Sequence, residues 1–281
     1  MEFGRVETGA MVSIALCAVL SIIVPIVIAV IWKKKKNEKF STIIVGALTF
    51  LLFAIVLEKP IQNVLIFPTA MGLQEHAASR FINARPVLWA FLVGLFPGVF
   101  EETGRLIAYK TVLKNRKNRE NSISHGIGHG LFEVMFVIGV TFITYFAYAM
   151  MINAGTFGQV MEEALAKAPG QEEAIYASIE QIKTIDFAFV AGTLYERVFA
   201  VLYHIGASML VFYACKDKKK FWLYPLAIII HTFMDGMIGL SMAGVIHLTT
   251  FGTEAMVTIC GALTFFGAYF LLYKKDKDRN V

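Results

Sequence analysis

Apolar runs of about twenty residues recur seven times along this chain, separated by loops alternately rich and poor in basic residues, and that alternation limits the fold more than any other feature. A helix of that length crosses a hydrocarbon core of about 30 Å. Inside lipid a helix satisfies its own backbone, which a loop or open strand cannot do. The runs fall at about 9–32, 40–57, 86–109, 122–151, 186–214, 221–245 and 250–273. The sequence is 57% hydrophobic and its mean hydropathy is +0.64, outside the range of a water-soluble domain. The expected fold class is therefore all-α, a polytopic bundle of about seven spans forming one domain over residues 1–281 in the lipid bilayer of the cell membrane.

The formal charge of +5 does not point to nucleic acid, because the basic residues sit in loops and not on a soluble face. They gather after the first span (Lys33 to Lys36, Lys39) and between the third and fourth (Lys110, Lys114, Arg116, Lys117, Arg119). Two more clusters lie between the fifth and sixth (Lys216, Lys218, Lys219, Lys220) and in the tail (Lys274, Lys275, Lys277, Arg279). The intervening loops hold few. By the positive-inside rule the N-terminus is expected outside and the C-terminus in the cytoplasm. The first run lacks a basic leader and ends in four lysines, so a retained span is expected and not a cleaved signal. Cys17, Cys215 and Cys260 lie in or beside apolar runs without paired spacing, as small core residues do.

Two loops are long. Residues 58–85 carry Pro60 and Pro68 among apolar residues, which suits an interfacial or re-entrant segment. Residues 153–185 read as two amphipathic helices broken at Pro169-Gly170, forming an outer cap.

Within the spans, certain ionisable residues are out of place. Each costs roughly 2.5–3.5 kcal/mol at bilayer depth on insertion scales, so a cluster of them demands a reason. The third span carries Glu101-Glu102-Thr103-Gly104-Arg105, and Pro97-Gly98 one turn earlier is expected to kink it and open space. The fourth carries His129 and Glu133, four apart on one face. The fifth carries Glu196, Arg197 and His204, and the sixth His231 and Asp235, again four apart. At 1.5 Å per residue, Glu101, His129, His204 and His231 all lie roughly 14–18 Å from the nearest basic loop residue. Four helices thus bring their polar groups to one level, in the cytoplasmic half of the bilayer. Glu196 sits about 12 Å further outward and is expected to pair with Arg197 or another helix. Gly126, Gly128 and Gly130 mimic a phosphate loop, but no strand precedes them, and close helix packing explains them better. His76, His125 and His247 are placed at span ends or in loops, with no chemistry assigned.

The shared level assembles a carboxylate base, imidazoles and oxyanion donors, the parts that activate a water. Three histidines, His129, His204 and His231, with a carboxylate would also make a zinc site with an open position. The residues alone leave open an ion- or proton-coupled transporter, which buries carboxylates and histidines as a relay. They also leave open a non-catalytic immunity or scaffold protein.

The segments Glu-Glu-Thr-Gly-Arg (101–105), Gly-His-Gly-x-x-Glu (128–133) and His-x-x-x-Asp (231–235) resemble those of the YhfC family of intramembrane peptidases. The pattern is also similar to PrsW and the glutamate-dependent CAAX prenyl endopeptidase group, with His129 standing where that group usually has Phe. The resemblance covers the third to sixth spans, and places the catalytic helices within about 86–245. It implies that Glu101 activates the water with Glu102 supporting, and that Glu133 or His129 shares the proton. It further implies that His231 and Asp235 orient the scissile carbonyl or stabilise the oxyanion, while Arg105 and His204 support. The substrate implied is a membrane-associated protein or peptide. The family pattern accommodates both a zinc enzyme and a metal-free glutamic one.

Overall fold

The structure, a computed structural model, describes residues 4–167 and 172–278. Pro169-Gly170, where a helix break was expected, and Arg279 of the basic tail lie outside the described residues. Among the described residues every regular element is helical. Seven helices are long and apolar enough to span: Thr8–Lys36, Phe40–Ile66, Pro86–Lys110, Glu120–Asn153, Phe187–Lys216, Lys218–Met242 and Thr250–Lys275. They are numbered one to seven below.

The fifth span is the axis. In its most apolar stretch 72% of residues are buried, against 22–39% in the other spans. Its run from Tyr203 to Ala214 is buried without interruption, inside a core that also takes Tyr109, Ile123, Ile127 and Leu223 from spans three, four and six. The basic clusters meet at this end of the bundle. Lys216 donates to the Lys117 carbonyl at 3.0 Å, Asn118 donates to Glu38 at 2.8 Å, and Arg119 donates to the Asp276 carbonyl at 3.0 Å. At the opposite end, Phe157–Lys167 and Glu172–Thr184 are the two expected short helices. Their apolar residues, Phe157, Met161, Ile179 and Ile182 among them, pack on Val6, Ile14 and Phe142 in a second cluster.

Glycines bring the site-bearing spans into backbone contact, as small residues do where lipid offers no hydrophobic gain for association. A Cβ on Gly94 would lie 2.5 Å from the Thr232 carbonyl oxygen, and one on Gly98 2.6 Å from the Thr232 hydroxyl. Spans three and six are thereby locked. Gly126 approaches Ile205 of span five within 2.5 Å on the same measure. Gly128 and Gly46 close spans two and four against the carbonyls of Ile43 and His125. Gly128→Ala would drive its methyl into that Ile43 oxygen, so a loss of about 1–3 kcal/mol is expected. It should show as a lower thermal midpoint in detergent. Gly267→Ala, with nothing within 4 Å of the added carbon, should leave the midpoint unchanged or raise it.

Three expectations change. The second span does not stop near residue 57 but continues to Ile66, so residues 58–66 are helix and not an interfacial loop. Pro60 looks like a terminator, yet it sits in the first turn of the α-helical part, Lys59–Ile66, where a missing N–H is tolerated. Gly98 does not open space; it closes span three onto span six, and only Pro97 faces a cavity. His125 is no span-end residue: it is wholly buried, 3.1 Å from the Ser208 hydroxyl and 3.3 Å from that of Thr49.

Candidate active site

Adjacent positions on a helix point about 100° apart, so Glu101 and Glu102 address different neighbours. Glu101 faces span four, its Oε2 lying 2.9 Å from His129 Nε2 and 3.9 Å from His204 Nδ1 of span five. Glu102 faces span six, where His231 Nδ1 is 3.1 Å from its Oε1. Arg105, one turn on and fully buried, joins the two sides. It donates to Glu102 Oε1 at 2.5 Å and to His204 Nδ1 at 2.7 Å, and its NH2 lies 3.6 Å from Glu101 Oε2. Because an arginine donates only, His204 accepts at Nδ1, and its Nε2 lies 2.5 Å from Glu133 Oε2 as a close ionic contact. Tyr203 donates to Glu102 at 3.5 Å.

Glu133 is held in turn by Arg197 at 3.1 Å. Arg197 also contacts Glu196, so Glu196 pairs as its sequence position suggests. Directly after Glu133 the fourth span loosens into a π-helical stretch, Val134–Gly139, a wide turn found mostly at functional sites. His231 Nε2 points along its own helix to Asp235, at 3.5 Å. The eight residues given catalytic or supporting roles from the sequence thus meet in one network, to which Arg197 and Glu196 attach through Glu133. Within it His129 and His204 group with Glu101, while His231 is turned to Glu102 and Asp235.

The network ends at a cavity of about 330 Å³ lined by Glu101, Glu133, His204, His231 and Asp235. One residue of its wall was missed by sequence reasoning. Glu58 is 1% exposed and borders this cavity from span two, at the end of a π-helical stretch, Leu51–Glu58. Its position at the edge of an apolar run, two residues before a proline, made it look like a loop boundary. The signal that identifies it is the apolar sequence that resumes at Ile61, Val64 and Leu65.

Ligand atoms of Glu101, His129 and His204 all lie within 4.8 Å of one another, and the three residues are buried. Two imidazoles and a carboxylate are a donor set of catalytic zinc, with a position left for water. The local charge favours a cation as well. Among the described residues Glu101, Glu102, Glu133, Glu196 and Asp235 face only two guanidiniums, those of Arg105 and Arg197, and buried charge is normally paired or metal-bound.

A multi-pass integral membrane protein of seven helices, with a polar site enclosed in its bundle, is the class that this fold defines. The chain belongs to the YhfC intramembrane metalloprotease family, whose family model matches residues 20–258. It is similar to "Uncharacterized membrane protein YhfC" of Bacillus subtilis (strain 168), 28% identical over 262 residues that cover 92% of this chain and 95% of the relative. No solved structure matches it.

Proposed function

We propose that the protein is an intramembrane peptidase that hydrolyses a peptide bond of a membrane-associated protein or peptide at the buried end of this cavity. The observation that carries the reading is the convergence of Glu101, His129 and His204, from three different spans, within 4.8 Å. Glu101, His129 and His204 would hold a zinc ion in place of the Arg105–His204 and His129–Glu101 hydrogen bonds, because each ring nitrogen has one lone pair to give; when bound, the ion supplies Lewis acidity that makes a water nucleophilic near neutral pH.

The protein's own groups do the rest. Glu101, through its second oxygen, takes the proton of the attacking water. Glu133 pairs with His204 and so positions that ring, while Arg197 holds Glu133. Arg105, His231 and Tyr203 hold Glu102, which keeps the third span in register with the fifth and sixth. His231 and Asp235, both on the cavity wall, orient the scissile carbonyl and stabilise the charge that develops on its oxygen.

Metal analysis tests the reading directly. Protein purified without chelator is expected to carry one zinc per chain. His129→Ala and His204→Ala should each lose it while still eluting as folded protein, and chelation should remove the metal together with cleavage of membrane-anchored peptides in proteoliposomes. Full cleavage by metal-free protein would overturn the zinc assignment and return the chemistry to Glu101 alone.

A further inference from the structure

The cavity has a direction. On spans two to six the lining residues run from the level of the buried cluster away from the lysine-rich end, and span seven adds Val257. Span three contributes Val93 and span five Arg197, both nearer the opposite end than Glu101 and His204. Span six contributes Met242, about 16 Å beyond His231 at 1.5 Å per residue, and span two continues past Glu58 to Gln62. Toward the lysine-rich end the same cluster is closed by the buried residues His125, Tyr109 and Phe212.

The cavity wall is acidic, and two of its buried carboxylate oxygens lack a hydrogen-bond partner among the described residues: Glu133 Oε2, which has a close ionic contact with His204, and Glu58 Oε2, which has none. Arg197 is committed to Glu133 and Glu196. Lys59 donates to Gln62 at 3.3 Å and reaches Glu58 at Oε1 alone, at 3.4 Å, and 49% of its side chain is exposed, so water screens that pair. Oε2 of Glu58 is buried and has no hydrogen-bond partner. Leaving such a group unsatisfied is costly, and a cationic donor arriving in the cavity would satisfy it. The volume, about 330 Å³, is at the small end for ligand sites, enough for a side chain and not for a folded partner.

We propose that the cavity is reached from the side opposite the lysine-rich loops and that Glu58 there receives a lysine or arginine side chain of the substrate. The substrate part of this proposal rests on the peptidase reading; the charge selectivity and the sidedness do not. Glu58 is a specificity-determining residue in it and takes no part in bond cleavage.

The test uses thiol labelling, which needs no cleavage. Val93→Cys is placed in a chain whose Cys17, Cys215 and Cys260 are replaced by alanine, with Ala70→Cys as an exposed reference. Sided membrane vesicles are treated with a trimethylammonium or a sulfonate methanethiosulfonate. Relative to the reference, the cationic reagent should react roughly tenfold faster than the anionic one, the low end of the enrichment that a charged cleft produces. It should react only from the side opposite the lysine-rich loops. Glu58→Gln should cut the preference at least about threefold while Glu58→Asp keeps it, since only the latter retains the charge. In the parent, arginine amide should slow the labelling and N-acetylglutamate should not, a comparison that survives misfolding of either Glu58 variant. Equal rates for the two reagents, labelling from the lysine-rich side, no labelling at Val93→Cys, or no protection by arginine amide would each overturn the proposal. Loss of selectivity in a protein that still binds zinc and cleaves would sink this inference alone. Selectivity without metal or cleavage would sink only the peptidase reading.

Discussion

Glu101→Gln is expected to abolish peptide cleavage, by about three orders of magnitude or more, and to leave a folded protein. The magnitude combines two losses. A positioned general base contributes about 10²–10⁴-fold, and an amide is a far poorer zinc ligand than a carboxylate. Folding should survive because glutamine has the same shape and still bonds His129, 2.9 Å away. Arg105 keeps its stronger contact, the 2.5 Å one to Glu102, and gives up only the 3.6 Å approach to Glu101. Membrane insertion and elution volume should match the parent, and the thermal midpoint that of the metal-free parent, while bound zinc and cleavage both fall. Cleavage within a few-fold of the parent would remove Glu101 from the reaction.

Arg105→Met is expected to act on the fold itself. The guanidinium is fully buried and bridges Glu102 to His204. Methionine fills much of the volume but leaves Glu102, also fully buried, facing only His231 and Tyr203. Stranding one partner of a buried pair costs about 3–5 kcal/mol, a large share of the ~5–15 kcal/mol by which a typical protein is stable. The variant should therefore accumulate poorly and melt well below the parent in detergent. Arg105→Lys should rescue little, because a single ammonium cannot span both Glu102 Oε1 and His204 Nδ1 in the fixed geometry of a guanidinium. A parental melting curve for Arg105→Met would show that Glu102 needs no cation beside it.

The two substitutions separate roles that lie one turn apart on one helix. Glu101 borders the cavity, whereas Glu102 does not and is tied to three neighbouring side chains. A variant at 102 is for that reason a poor test of chemistry, since loss of folding and loss of catalysis would look alike.

The spans were legible from the chain because burial in lipid imposes a single rule, a long apolar run with its backbone bonded internally. The seven runs read from sequence and the seven spanning helices agree to within a few residues at most ends. The second span, extended to Ile66, is the exception. There a proline and a charge, the usual marks of a boundary, were absorbed by a change in helical pitch. The level of the cluster was legible as well, since counting residues from the lysine-rich loops is a measure of depth. Most of its members were legible from the cost of an ionisable group in lipid, whereas the buried Glu58 and His125, at the edges of apolar runs, were not.

Rotation about each helix axis is what such counting leaves out, and only the packed bundle supplied it. Gly94 and Gly98 against Thr232, and Gly126 against Ile205, set how the spans face one another. Those contacts group His129 and His204 with Glu101 and turn His231 to Glu102 and Asp235. The same packing put Glu58 on a cavity wall and pointed that cavity away from the lysine-rich end. The sequence by itself determined a seven-span bundle with a polar layer at a known depth, because solvation by lipid acts on each helix separately. Partners within the layer, and the side from which it is reached, were decided by tertiary structure, because they depend on contacts between helices far apart in the chain.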